Sequence, residues 1–256
     1  MPAESLTVSF PSLRLAHNVL LKDVSMTVTG STPSFSFTGS VDVTTKQPTP
    51  LVMSASGTIS GSKFILDADL SSWTVDVGHT GFTVSTVKLH IEDTVGAKQF
   101  SGTLSGDLDF ASTAMTMAAT IPGSAEGGLE LDLTLKSGDD LTVGQAISAT
   151  CGDDVAATAP STMLTSVKAA AFKSATLTLR TSPPSFEATG TLSVFGQTDI
   201  AARFLSARAG SPSAWHFGVG VAITSTFKVS DLVAGATAWD FVEFSSGGVV
   251  VSSTTQ

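Results

Sequence analysis

The 256-residue chain contains one cysteine, Cys151. No internal disulfide can form, so the fold does not depend on an oxidising compartment. Tyrosine is absent and tryptophan occurs three times, against fifteen phenylalanines. Tyr and Trp suit surfaces with one apolar and one wet end, so their scarcity disfavours an aromatic binding platform. Charged residues amount to 14%, well below the roughly 25% usual for soluble domains. With 13 Lys and Arg against 22 Asp and Glu, the net charge is −9 and the pI near 4.7. A nucleic-acid backbone or an anionic membrane surface would be repelled. No run approaches the roughly 18 apolar residues of a membrane-spanning helix. The opening residues MPAESLTVSF lack the basic and apolar stretches of a signal peptide. The expected location is cytoplasmic, or outside the cell by a route that needs no signal peptide. Neither a nucleic-acid partner nor a transmembrane helix is expected.

What the chain does contain is one pattern written three times. Val24, Met26 and Val28 are followed eleven residues later by Gly39; Val87, Leu89 and Ile91 by Gly102; Ala175, Leu177 and Leu179 by Gly190. A second landmark follows each glycine: Phe64 after 25 residues, Leu129 after 27, Trp215 after 25. The starts are 63 and 88 residues apart, from Val24 to Val87 to Ala175. Such a period is the mark of stacked units that bury a continuous core together.

Each unit reads as four strands, a to d. Strand b is clearest. Phe35, Phe37, Gly39, Val41 and Val43 alternate with Ser36, Thr38, Ser40 and Asp42. Leu104, Leu108 and Phe110, and then Phe186, Ala188, Leu192 and Val194, repeat the arrangement. Period-two alternation with one apolar face belongs to a half-buried antiparallel strand, because successive Cβ atoms point to opposite sides. Strand d repeats as Phe64, Leu66, Ala68, Leu70; as Leu129, Leu131, Leu133, Leu135; and as Trp215, Phe217, Val219, Val221. The glycine on the apolar face of strand b implies a bend, or a large side chain packed over it. Phe37 and Phe100 are the side chains proposed for that packing.

The expected fold is therefore all-β, a single domain over 1–256. Three tandem four-stranded antiparallel repeats, at about 19–80, 82–160 and 167–232, are flanked by partial terminal strands. A pseudo-threefold prism, a sandwich and a short stacked array all satisfy the alternation. Short helical turns are expected at Gly144–Ala149 and Ser230–Ala234, and the stretch from Ser148 to Ser166 is the longest insertion. Leu6–Val8 resembles the tail of a strand d, and Phe241–Ser253 the start of a strand a. These partial strands pair with each other, or join a longer row through unpaired edges.

Reactive constellations are sparse. Four histidines, His17, His79, His90 and His216, lack metal-type spacing, and Cys151 lies in CGDD with no nucleophile signature. No phosphate loop, dinucleotide fingerprint or GxSxG elbow is present. No catalytic residue, metal site or cofactor is assigned. The remaining candidates for ligand binding are acidic pairs at i and i+2, Asp67 with Asp69 and Asp107 with Asp109, together with His216 and Trp239. A parallel pair is Glu130 with Asp132. Carboxylates two residues apart share a strand face about 7 Å from each other, which suits a hard cation, a glycosidase pair or, more simply, a solvated charged face. Trp239 has no counterpart in the other units and reads as a partner contact or a cap.

The leading expectation is a non-enzymatic module acting through its surface, in a structural, adhesive or partner-binding role, with a protein partner or self-association through sheet edges. The alternatives are a carrier of a hydrophobic small molecule or lipid, an enzyme with an acidic pair in a cleft, and a pore former.

Overall fold

A computed structural model describes residues 5–29, 34–79, 81–94, 100–121, 128–153, 167–194, 197–209, 214–228, 230, 237–239 and 242–253. The alternating segments form strands β1 (Ser5–Ala16), β2 (Val19–Thr29), β3 (Ser34–Val43), β4 (Leu51–Ser60), β5 (Lys63–Val75), β6 (Phe82–Thr94), β7 (Gly102–Phe110), β8 (Thr113–Ile121) and β9 (Glu130–Leu135). After helix α1 (Val143–Cys151) come β10 (Lys173–Thr181), β11 (Pro184–Val194), β12 (Gln197–Ala209) and β13 (Ala214–Ile223). Next are the short β14 (Phe227–Lys228), a 3-10 turn (Thr237–Trp239), β15 (Glu243–Phe244) and β16 (Gly247–Ser252).

All but β14 and β15 join one sheet of fourteen strands in the order β1 to β13, then β16, each antiparallel to its neighbour. The strands thus make one continuous sheet. A prism of three separate sheets is not what forms.

A flat sheet of this width would leave its apolar face in water. Neighbouring strands lie about 4.8 Å apart, so β7 and β11, four places apart, would be separated by roughly 19 Å on a flat sheet. Instead the rings of Phe110 on β7 and Phe186 on β11 lie 4.5 Å apart. Gln47, just after β3, donates from Nε2 to the carbonyl of Thr181 at the end of β10, 2.9 Å away. Its Oε1 accepts from the backbone N–H of Asp76, and Arg208 on β12 approaches Asp76 at 3.7 Å. The sheet curls so that one half covers the other. The enclosed core includes Trp73, Phe110, Phe172, Phe186 and Phe204, all essentially inaccessible to solvent. A row of rings runs through it from Phe82 to Phe110, Phe186, Phe204 and Phe217.

Among the bends that accompany the curl, three recur at equivalent places. Asp23 in β2, Thr86 in β6 and Ser174 in β10 have φ of 53°, 50° and 50°. At each the register against the next strand slips, between Lys22 and Ser25, between Ser85 and Lys88, and between Lys173 and Thr176. These are β-bulges, which bend a strand and increase its twist. Their spacing is 63 and 88 residues, that of the sequence pattern. The facing strand carries a glycine at each. A Cβ on Gly39 would come within 2.7 Å of the Lys22 carbonyl oxygen, on Gly106 within 3.0 Å of that of Ser85, and on Gly190 within 2.8 Å of that of Lys173. In the second unit the counterpart of Gly39 is therefore Gly106, not Gly102. Gly102 instead faces the His90 carbonyl and Ile91. The bend, rather than an overlying ring, explains the glycine: Phe37 packs over Gly57 of β4, and Phe100 against Phe64.

Helix α1 starts where the alternation stops. Thr142 caps it: its hydroxyl accepts from the Gln145 N–H while the Gln145 side chain accepts from the Thr142 N–H, two otherwise unpaired donors satisfied together. Val143, Ala146, Ile147, Thr150 and Cys151 are buried. The expected turn at Gly144–Ala149 lies within α1. At Ser230–Ala234 only Ser230 is among the described residues, and it is helical. Most of the insertion from Ser148 to Ser166 also lies outside them.

Burial is not equal across the three units. Ile91 and Leu179 are each 1% exposed, whereas Val28 and Met26 are only half-buried. They lie beside β1, whose residues from Ser5 to Arg14 are almost all exposed, so among the described residues no opposing layer covers that corner.

Replacing Gly39, Gly106 or Gly190 with Ala should each lower unfolding free energy by about 1–3 kcal/mol. Gly218→Ala, where an added Cβ meets nothing within 4 Å, should be neutral or slightly stabilising. Urea unfolding of the four variants checks this. Equal effects at all four positions would remove the close-approach explanation.

Candidate functional site

The outward face of β5, β6 and β7 gathers the acidic pairs. Asp67 and Asp69 stand on β5 and are exposed. Asp67 Oδ1 is 2.7 Å from Nδ1 of His90 on β6. Asp69 is directly opposite Lys88. With Ser54, Leu70, Thr86 and Lys88, Asp69 lines a shallow, open depression of about 360 Å³. On the other side of β6, Asp107 receives hydrogen bonds from Lys136 Nζ at 2.9 Å and from the Thr86 hydroxyl at 2.9 Å. Asp109 shares its face and is exposed, opposite Ala114. The bulge at Thr86 thus turns one hydroxyl toward Asp107 and stands between the two acidic pairs.

The electrostatics at Asp107 run against its acting as a general acid. The hydrogen bond from Lys136, then that from Thr86, holds the Asp107 carboxyl below the usual carboxylate range. A general acid needs the opposite shift, produced by burial without a cation. Glu92 is likewise lowered by a hydrogen bond from Lys63 at 2.7 Å, and Lys63 is raised by the same contact.

A second array crosses four strands. Glu130 on β9 accepts from Arg180 Nε at 2.9 Å, and Arg180 Nη1 donates to Glu187 on β11 at 3.2 Å. Glu187 also accepts from Arg203 Nε on β12 at 2.7 Å. Burial opposes the charge of Glu187, but hydrogen bonds from Arg203 and Arg180 outweigh it and keep the carboxyl below its ordinary value. Arg180 is raised: burial disfavours its charge, yet the bonds to Glu187 and Glu130 prevail. Sequence reasoning named Glu130 but missed Arg180, Glu187 and Arg203. Their only signal was an outward position on consecutive strands.

The other candidates stand apart. His216 is half-buried on β13, opposite Ala207. Trp239 ends the 3-10 turn, and its side chain is not among the described residues. His17 sits in the β1–β2 turn, its carbonyl accepting from Arg14, and the His79 N–H donates to the Ala149 carbonyl. Cys151 is buried, its sulfur 3.5 Å from the Ser206 hydroxyl. Asp132 is exposed on β9. Among the described residues no three His, Cys, Asp or Glu side chains converge as ligands for a metal, and no helix is long and apolar enough to cross a membrane.

The arrangement favours the charged form of Glu92, Asp107 and Glu187, and pairs Glu92, Glu130 and Glu187 with a cation on the neighbouring strand. No protein-family model matches the chain, and no match was found among curated proteins or solved structures.

The Glu187 cluster makes stability pH-dependent. Its folded pKa lies below the ordinary 4.5, so its contribution is complete above that value and disappears as pH falls through the folded one. Glu187→Gln should cost about 1 kcal/mol at neutral pH, with the gap to the parent closing below about pH 4. Thermal unfolding across pH checks this. A gap that stays constant into acid would contradict it.

Proposed function

We propose that the protein is a non-enzymatic module of three tandem four-stranded β units that acts through its surface, in a structural or partner-binding role. One observation carries the reading: outward carboxylates such as Asp42, Glu92, Glu130 and Glu187 stand in ion pairs with Lys or Arg side chains of adjacent strands, which suits a stable polar face. The recurrence of bulge and facing glycine at the spacing of the sequence pattern supports the three-unit description, with Asp23, Thr86 and Ser174 at equivalent places.

A hydrophobic-ligand carrier is the second reading, favoured by the half-exposed apolar corner formed by Met26, Val28, Phe35 and Ile59. Against it, the aromatic row from Phe82 to Phe217 fills the interior that a lipid would occupy. A membrane barrel needs apolar residues facing outward, whereas in β5, β8 and β9 the apolar set faces the core and Asp, Thr or Ser the outside.

The purified chain should show, by native mass spectrometry, only polypeptide mass, and its organic extract should contain no stoichiometric lipid. A lipid or isoprenoid bound one to one would replace the module reading with the carrier reading.

A further inference from the structure

The fourteen-stranded sheet is open, and β1 forms one of its edges. Position by position, β1 has the make-up of a half-buried strand. Leu6, Val8 and Phe10 lie opposite Val28, Met26 and Val24, and Leu13 lies opposite Leu21. Val24 and Leu21 are core residues, and cross-strand partners share a face. With Leu15, which is buried, these five residues form a core-side row, while Ser5, Thr7, Ser9, Ser12 and Arg14 face away. Yet Leu6 is 63% exposed, Phe10 39% and Leu13 49%. An apolar row on an edge whose outer backbone groups have no strand beside them among the described residues is a template for another strand.

The row also fits itself. About the Pro11–Ser12 link it reads Val8, Phe10, then Leu13, Leu15, the same spacing in either direction. The inward side shifts at this link, opposite the bulge at Asp23. We infer that β1 pairs antiparallel with β1 of a second copy about a two-fold axis at Pro11–Ser12. Phe10 then lies beside Leu13 of the other copy and Val8 beside its Leu15, each contact made twice. The one charge on the strand, Arg14, falls opposite Ser9, so no like charges meet. Pro11, which lacks an N–H, falls on the axis, where the pleat is already shifted. Ten residues of strand, Thr7–Ala16, span about 34 Å, and the pairing buries on the order of 1,000 Å² in total. That is near the lower bound for a specific interface, so the dimer is dissociable.

The other open edge, β16, is six residues long and begins Gly247–Gly248. It has no such symmetric row. Joining it to β1 of the next copy would give growing chains rather than pairs.

This inference rests on the surface-module reading and names one partner for it. Sedimentation velocity on the full chain should show a monomer–dimer equilibrium that stops at two. Phe10→Lys combined with Leu13→Lys should weaken it by about tenfold or more, with the far-ultraviolet circular dichroism unchanged because Phe10 and Leu13 lie outside the core. Under mild oxidation, Phe10→Cys chains mixed with Leu13→Cys chains should cross-link, and neither should cross-link alone. A monomer at every concentration, a dimer indifferent to the lysines, or growth beyond two copies would each overturn the pairing. None of these would touch the module reading, which falls only on a bound ligand in the extraction experiment.

Discussion

A single antiparallel sheet that is apolar along one face has to cover that face with itself. This requirement organises the molecule. The Phe110–Phe186 contact and the Gln47 bridge to Thr181 and Asp76 mark where the two halves meet. The hydrophobic gain is area-proportional and non-directional, so it favours curling without dictating where the sheet bends. The bulges at Asp23, Thr86 and Ser174 supply the places. Gly39, Gly106 and Gly190 are the residues that let the bulged backbone approach its neighbour.

The outward face follows a different rule. Several of the chain's few charges stand beside a partner: Asp67 by His90, Asp107 by Lys136, Glu92 by Lys63, Glu187 between two arginines. Exposed pairs of this kind contribute little individually. The Glu130–Arg180–Glu187–Arg203 array is the exception in kind, since Glu187 is largely shielded and hydrogen-bonded twice. Pairing that stabilises carboxylates in their charged form also makes them poor proton donors.

Much of the fold was legible because strand alternation is local. Phe64, Leu66 and Ala68, or Leu131 and Leu133, face inward as their spacing requires. The bulges recur with the period of the sequence pattern, since Asp23, Thr86 and Ser174 each directly precede a repeated apolar triplet, but the alternation itself did not reveal them. What alternation cannot convey is how far the sheet continues, or whether a face finds cover. The same rows suit a prism, a sandwich or one curled sheet, and β1 carries an apolar row that stays exposed. Gly102 lies at the same distance from its triplet as Gly39 does from its own, but strand pairing puts Gly106 against the bulge. The acidic pairs were visible, whereas their cations were not: Lys136 and Arg180 are distant in sequence from Asp107 and Glu130 and come alongside only once the register is set.

The central claim, that the two halves of one sheet pack face to face, is tested most directly by a double-mutant cycle between Phe110 and Phe186. These residues are four strands apart and touch only if the sheet curls. Phe110→Leu, Phe186→Leu and the double variant, compared by chemical denaturation, should give a coupling energy of about 0.5–1.5 kcal/mol. Strict additivity of the two substitutions would contradict the account.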